Sequence, residues 1–299
     1  MNQHLAQDSG LTHIPVMITE VLSYLAIQPD GIYLDGTIGP GGHATLVLKE
    51  LTNGGKVVGI DRDEEALDIC KQNLKTSSSF LSLHHNSYDN LDKILAAEEL
   101  SAVHGMLLDL GLSSLQLSSK NRGFSYRSEG TLDMRFDRTS SKGAGKLIDQ
   151  ADRYSLSQIF KKYGEERLAS RIAKSIKEMT EMNTTADLLE AIRRCTPPNH
   201  RDRTFARIFQ ALRIAVNEEL DILQKFLTKF IDYLRPGGRI VIISYHSLED
   251  RLVKHSFKEL ASGGTLNILT KRPITAREKE RKNNRRAGSA KLRAAVKVS

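Results

Sequence analysis

The stretch that decides the fold runs from Gly31 to Leu48 and reads GIYLDGTIGPGGHATLVL. Ile32, Tyr33 and Leu34 form a short apolar run that stops at Asp35, glycines follow, and a helix-forming segment opens at His43. The order is strand, tight turn, helix. Gly39, Gly41 and Gly42 carry no Cβ to hold a ligand off the backbone, and the first helical amides point free N–H groups into the turn. A nucleotide-like ligand fits such a turn.

Gly39, Gly41 and Ala44 also satisfy the G-x-G-x-x-A form of the dinucleotide fingerprint. A pyrophosphate would be repelled by Asp35 at the mouth of that turn. S-adenosylmethionine has the opposite needs: a sulfonium cation, an amino group and ribose hydroxyls that want an acceptor. Asp35 suits it, although Asp35 also reads as a simple cap of the turn.

Further along, helix Thr45 to Leu51 ends at Asn53-Gly54-Gly55, and KVVGID from Lys56 to Asp61 reads as a second buried strand ending in an acid. Asp61 lies 20 residues beyond Gly41, where an α/β nucleotide fold places a carboxylate against ribose hydroxyls. A helix over Asp63 to Lys75, a strand over Phe80 to His84 and a strand over Val103 to Leu110 with its acid Asp109 continue the alternation. Tyr88 stands after the third strand, where its ring would stack on adenine or pack under a loop. The pattern predicts a parallel α/β sheet, with Asp35, Asp61, Tyr88 and Asp109 at its carboxyl edge.

After Gln116 the alternation breaks. Ser118 to Ser141 reads as a long ordered loop, and Leu147–Ala151, Leu156–Tyr163, Arg167–Met179, Thr185–Arg194 and a segment from Thr204 read as helices. Strand patterning returns at RIVIIS, Arg239 to Ser244, followed by a helix from Ser247, a strand in TLNILT and a last one in KLRAAVKV. The expected division is therefore a discontinuous α/β domain, 1–117 with 224–299, interrupted by a helical domain at 118–223.

Of the 299 residues 39% are apolar and 27% charged, as in a globular protein, and no apolar run approaches the ~20 residues of a membrane span. With no cationic, apolar leader at the start, a cytoplasmic location is expected. Cys70 and Cys195 have no ligand-like spacing and read as buried free thiols, with no metal site expected. Residues 271–299 hold eleven Lys and Arg against Glu278 and Glu280, which leaves the preceding 270 residues near neutral out of a net charge of +8. A basic tail points to a polyanion, most simply nucleic acid phosphates, with a solvated terminus as the competing reading.

The segments HIPVM, DGTIGPGGHA, GIDRDEEAL, LLDLGLSSLQL, RGFSYRSEGTLDMRFD, YGEER, FQALRIAVNEEL, PGGRIVIISYHSLEDR and SAKLR, spread from His13 to Arg293, closely resemble the MraW (RsmH) family. That family methylates the exocyclic amine of a cytosine in bacterial 16S rRNA. The resemblance implies a class I, Rossmann-like methyltransferase domain, S-adenosylmethionine as donor and an inserted helical domain that helps hold RNA. The partner would be the small ribosomal subunit, with no membrane, and the enzyme a monomer or homodimer. Carried over by position, cofactor contacts fall on Gly41, Gly42, His43, Asp61, Tyr88, Asp109 and Gln116. The chain departs from the family pattern at Arg203 and Thr204, and from Arg285 to Gly288, both outside the glycine turn.

An aromatic exocyclic amine is a weak nucleophile, so it needs in-line placement and a hydrogen-bond acceptor. Asp109 and its loop are the candidate acceptor. They resemble the D-P-P-Y loop of amino-methyltransferases, with Leu110 and Gly111 in place of the prolines. Asp109 as a cofactor ligand only, with a backbone carbonyl as acceptor, is the alternative. Asp133, Arg135, His246 and Ser247 are candidates for contacts to an extruded cytidine, or structural residues. A nicotinamide dehydrogenase, a DNA amino-methyltransferase and a non-enzymatic RNA-binding protein are the rival readings.

Overall fold

Ile32–Asp35 (β1), Lys56–Asp61 (β2), Leu81–His85 (β3) and Val103–Asp109 (β4) are the four short runs that the alternation predicted, within a residue or two at each end. In the computed structural model, which describes residues 15–52 and 54–298, they are joined by Leu234–Ser244 (β5), Leu266–Ile268 (β6), Ile274–Thr275 (β7) and Lys291–Lys297 (β8). His13, Ile14 and Asn53, all in segments singled out above, lie outside the described residues.

The strands follow the order β3-β2-β1-β4-β5-β8-β6, with β7 paired to β8. β1 to β5 run parallel, and β8 runs antiparallel between β5 and β6. Parallel strands covered on both faces need apolar side chains at nearly every position, which is why these segments read as unbroken runs. Period two sorts them: Ile240 and Ile242 enter one core with Leu34, Ile60, Leu108, Phe226 and Phe257, while Val241 and Ile243 enter the other with Val21, Val47, Val57 and Leu67. Helices Ile18–Leu25, Gly42–Glu50 and Glu64–Asn73 cover the second face; Leu91–Ala97 and Ser247–Ser262 cover the first. This is the class I, Rossmann-like sheet that the sequence predicted.

The chain divides into two compact units, one of residues up to Gly111 and from Asp221 onward, the other Leu112–Leu220. The expected limits of the insert were 118 and 223. The second unit opens earlier because Ser113 starts a helix of its own, Ser114–Ser118, through a capping box with Gln116. Within it, helices Ala144–Gln150, Arg153–Gly164, Ala169–Lys177, Thr185–Arg193 and Arg201–Asn217 enclose a core of Phe160, Ile172, Ile176, Leu188, Ile192, Ile208 and Leu212.

The long loop ahead of these helices is ordered by two buried polar side chains. Arg122, 1% exposed, donates to the carbonyls of Arg135 and Phe136 at 3.0 and 3.1 Å. Asn217 accepts from Phe136 N–H and donates to the Met134 carbonyl, both at 2.7 Å. Loop carbonyls that helix or sheet would have satisfied are satisfied by these side chains instead.

The basic tail differs from a solvated arm. Helix Glu278–Asn283 and strand β8, between β5 and β6, fold it into the first unit, Leu292 and Ala294 are fully buried, and Arg293 lies 2.6 and 3.3 Å from the two carboxylate oxygens of Asp250. Lys271, Arg272, Lys279, Arg281 and Arg285 are tail cations that stay exposed. Asp250→Ala strands the buried Arg293 guanidinium, and removing one partner of such a pair costs about 3 kcal/mol or more. Urea unfolding at unchanged m-value should register that loss, and a midpoint equal to the parent's would show that the pair does not hold the tail.

Candidate active site at the carboxyl edge of the sheet

β1, β2 and β4 end side by side, so register alone brings Asp35, Asp61 and Asp109 to one edge: Asp35 pairs with Leu107 on β4 and Gly59 on β2, two residues short of Asp109 and Asp61 respectively. Asp35 is 5% exposed and accepts from Thr37 N–H at 3.2 Å. Burial, with Asp109 and Asp61 adding repulsion, pushes its carboxyl up to about 8. Asp61 accepts from Gly39 N–H at 2.8 Å and from Asp63 N–H at 2.9 Å. It keeps part of its surface open, and burial raises it only to about 6 against those two bonds. Among the described residues neither acid has an ion-pair partner. With backbone donors from Gly39, Asp63 and Arg62, the carboxylate of Asp61 still has acceptor capacity for a ribose hydroxyl.

The glycines of the turn divide by role. Gly39 has φ +53° and a Cβ added there meets nothing closer than 3.9 Å, so its open side faces the crevice. Gly41, at φ +91°, would drive a Cβ to 2.9 Å from Cys70 Sγ and Leu74, and Gly42 would drive one to 2.8 Å from Pro15. These two make room for the chain's own packing. Cys70 is thereby explained: it is a fully buried thiol, pushed up to about 12 by burial, that packs under the turn.

His43, on the first turn of helix Gly42–Glu50, lies 2.9 Å from the Val16 carbonyl through Nε2. A carbonyl accepts only, so Nε2 carries the hydrogen and Nδ1 is the acceptor, 4.0 Å from Asp109 Oδ2. Burial lowers the imidazole pKa, so the ring is neutral and that approach is not an ion pair. His43 ties the segment before helix Ile18–Leu25 across the turn.

Asp109 is the most elaborately held of the acids. Its backbone N–H donates to Thr37 Oγ1 at 2.7 Å, its Oδ1 accepts from the Tyr245 hydroxyl at 2.6 Å, and Arg286 stands 3.6 Å from Oδ2. Tyr245 follows β5 directly, at the same edge, and Arg286 comes from the tail. Neither was assigned a role from the sequence, although Arg286 lies in the Arg285 to Gly288 departure and Tyr245 in a quoted family segment. The strand-end rule that found the acids applies equally to Tyr245; nothing in the tail's composition distinguishes Arg286 from its cationic neighbours.

Other expected residues have structural partners. Tyr88, read from the sequence as either stacking on adenine or packing under a loop, is 8% exposed with its ring edge-on to Phe226 at 5.5 Å, a core contact. His246 is the N-cap of helix Ser247–Ser262, its Nδ1 accepting from Glu249 N–H, and Ser247 is the exposed first residue of that helix. In the second unit Gln116 closes the capping box with Ser113, its Oε1 accepting from Ser113 N–H at 3.0 Å. Asp133 and Arg135 pair with each other at 2.5 and 3.1 Å, and Arg135 also donates to the Arg138 and Ser140 carbonyls. Of the departures noted above, Arg203 and Arg285 are exposed, while Thr204 and Ala287 are buried.

The second unit carries twenty Lys and Arg against fourteen Asp and Glu. Its surplus is hidden in the whole-chain figure because the first unit without its tail has thirteen against twenty. No helix among the described residues is long and apolar enough to cross a membrane.

The model of the MraW methylase family matches residues 10–298. Curated relatives named ribosomal RNA small subunit methyltransferase H include that of Thermotoga neapolitana, 46% identical over 96% of this chain and 96% of the relative. Those of Kosmotoga olearia and Halothermothrix orenii are 45% and 44% identical, over 96% of this chain and 98% and 99% of their own lengths.

A cationic ligand stabilises the ionised forms of Asp35 and Asp61, so it binds with release of protons wherever those acids are still protonated. Affinity for S-adenosylmethionine should therefore rise as pH increases from about 5.5 through 8, the span set by folded values of about 6 and about 8. Calorimetry in buffers of different ionisation heat measures the released protons. Asp35→Asn should flatten the upper part of the rise, and an upper limb identical in that variant would assign it to the ligand's own amino group.

Proposed function

Because this chain belongs to the MraW methylase family, we propose that it transfers a methyl group from S-adenosylmethionine to the exocyclic N4 amine of a cytidine in the decoding region of 16S rRNA. The observation that carries the reading is the edge of three acids around the Gly39 turn, of which Asp35, buried, and Asp61, partly buried, have no cation of the protein's own beside them among the described residues. Such a site is built for a ligand that brings positive charge. A pyrophosphate would add charge of the wrong sign, which argues against a nicotinamide dehydrogenase.

The bound donor supplies a methyl group made electrophilic by its sulfonium. Asp61 offers acceptors for ribose hydroxyls, Asp35 offers a charge for the cationic end, and Gly39 lets the ligand approach the backbone. Asp109 is left for the amine. As the new N–C bond forms and the bond from carbon to sulfur breaks, the nitrogen becomes cationic and must lose a proton. A carboxylate that accepts an N–H hydrogen bond draws the lone pair out of conjugation and receives that proton. The Asp109 oxygen not engaged by Tyr245 is the candidate.

The cationic surplus of the inserted unit and the exposed tail residues support a polyanionic acceptor. Replacing Lys271, Arg272, Lys279 and Arg281 by Gln should weaken RNA binding and reduce the slope of log affinity against log salt by about 0.7 for each phosphate that the variant no longer neutralises. Donor affinity should be unchanged. An unaltered slope would remove the tail from the RNA surface.

Asp109→Asn keeps the shape of the side chain and loses its basicity. Single-turnover methyl transfer at saturating donor should slow by about 10²-fold, the scale of a positioned acid–base group, while donor affinity changes by a few-fold at most. A near-normal saturated rate would make Asp109 a cofactor ligand only. The acceptor itself is tested by mass analysis of 16S rRNA from cells lacking the protein: a cytidine should lose one methyl group, and an unchanged methylation profile would overturn the substrate assignment.

A further inference from the structure

The loop after Asp109 has an unusual wall. Leu110 and Gly111 bring no aromatic ring, yet a Cβ added at Gly111 would lie 2.5 to 2.9 Å from three ring atoms of Tyr245. The phenol ring from the end of β5 therefore occupies the space beside the loop, and its hydroxyl reaches back 2.6 Å to Asp109 Oδ1. Arg286 closes the arrangement, its guanidinium carbon 5.8 Å from the Tyr245 ring centroid and its NH2 3.6 Å from Asp109 Oδ2. Tyr245 is itself fixed at the backbone, where its N–H donates to Glu249 Oε2 at 2.8 Å.

From this geometry we infer that Tyr245 is a positioning residue for methyl transfer, one that fixes Asp109 by a permanent hydrogen bond to Oδ1 and leaves Oδ2 as the oxygen that accepts from the target amine. The inference rests on the acceptor role proposed above for Asp109.

The chemistry of the pair is one-directional. Burial, and then the Asp109 charge, hold the Tyr245 phenol well above its ordinary range, so the proton stays on the phenol and the carboxylate remains the acceptor. A carboxylate bonded on one oxygen cannot rotate freely about its Cβ–Cγ bond, so the second oxygen keeps a fixed direction. Arg286 at 3.6 Å puts a positive charge beside Oδ2 without a short bond that would block that oxygen. The charged or titratable groups facing Asp109 are thus Tyr245 from β5, His43 from helix Gly42–Glu50, Arg286 from the tail and Asp35 from β1. His43 is neutral and contributes no charge.

Tyr245→Phe keeps the ring against Gly111 and removes only the hydroxyl. With small ribosomal subunits from cells lacking the protein as acceptor, single-turnover transfer at saturating donor should slow by about tenfold or more, the worth of one hydrogen bond to a charged group. Donor affinity should stay within about twofold, since the hydroxyl serves the amine side of the site. The hydroxyl is a hydrogen-bond donor to the carboxylate, so its removal should move the acid limb of the rate profile to higher pH, which a purely structural role would not produce. In the Asp109→Asn background the same substitution should cost nothing further, because the two residues act as one unit. A rate and pH profile equal to the parent's, or losses that add independently in the double variant, would overturn the inference while leaving Asp109 as acceptor. If Asp109→Asn alone left the saturated rate intact, the acceptor role and this inference would fall together.

Discussion

Two carboxylates without a counter-ion among the described residues, Asp35 buried and Asp61 partly so, constrain everything else at the edge of this sheet. Taking a charge out of water is among the most expensive things a fold can do, and proteins normally answer with a paired Lys or Arg or with protonation. Here the answer is partial: Asp35 is pushed up to about 8 and Asp61 to about 6. Both values lie above the ~3.9 of an unfolded aspartate, so the folded chain binds protons more tightly than the unfolded one. These two groups therefore favour the ligand-free fold fully only below about pH 4, and that contribution is lost as pH rises through about 6 and about 8. At neutral pH the apo protein carries an electrostatic cost that a bound cation relieves. In the reading proposed above, affinity for a sulfonium and an ammonium is the other side of that cost.

The cost can be carried because the surrounding structure is over-determined. Asp61 is held by two backbone N–H groups, one of them from Gly39, so the acid and the turn fix each other. The turn is held from below by Cys70 and Leu74, which fill the space that side chains at Gly41 would need, and from the side by Pro15 against Gly42. His43 reaches across to the Val16 carbonyl. Without any one of these restraints the turn could relax toward a conformation in which the acids move apart, which is the direction their mutual repulsion already favours.

Much of this was legible before any coordinates, and the reason is specific. Strands covered on both faces write themselves as apolar runs, and a run that ends in Asp names both the strand and its carboxyl end, so Asp35, Asp61 and Asp109 could be placed at one edge from sequence alone. Identity at a strand end does not tell which way a ring faces, and Tyr88 turned into the core against Phe226. Sequence also does not tell whether a polar residue is already engaged: Gln116, Asp133, Arg135 and His246 each spend hydrogen bonds on caps or on each other. The charge of the inserted unit was hidden by cancellation, since its excess of cations is matched by an excess of acids in the unit that flanks it in sequence. Arg286 was hidden by company, one cation among many in a segment whose composition reads as solvated.

The tail is best understood through that last residue. Its exposed cations face solvent, but the same segment threads β8 between β5 and β6 and carries Arg286 to Asp109. The fold thus neutralises its acids unequally: among the described residues Asp109 has a guanidinium and a phenol, while Asp35 and Asp61 have neither. Unequal treatment separates two tasks that the same side chain type would otherwise confuse. A buried carboxylate with no cation beside it waits for one to come. In the reading proposed above, a carboxylate with Arg286 beside it and aimed by Tyr245 serves as a hydrogen-bond acceptor for the amine, while the acids without a cation serve the donor. Placing the guanidinium at 3.6 Å, beyond hydrogen-bond distance, sets a charge beside Asp109 Oδ2 and leaves that oxygen without a short bond to it.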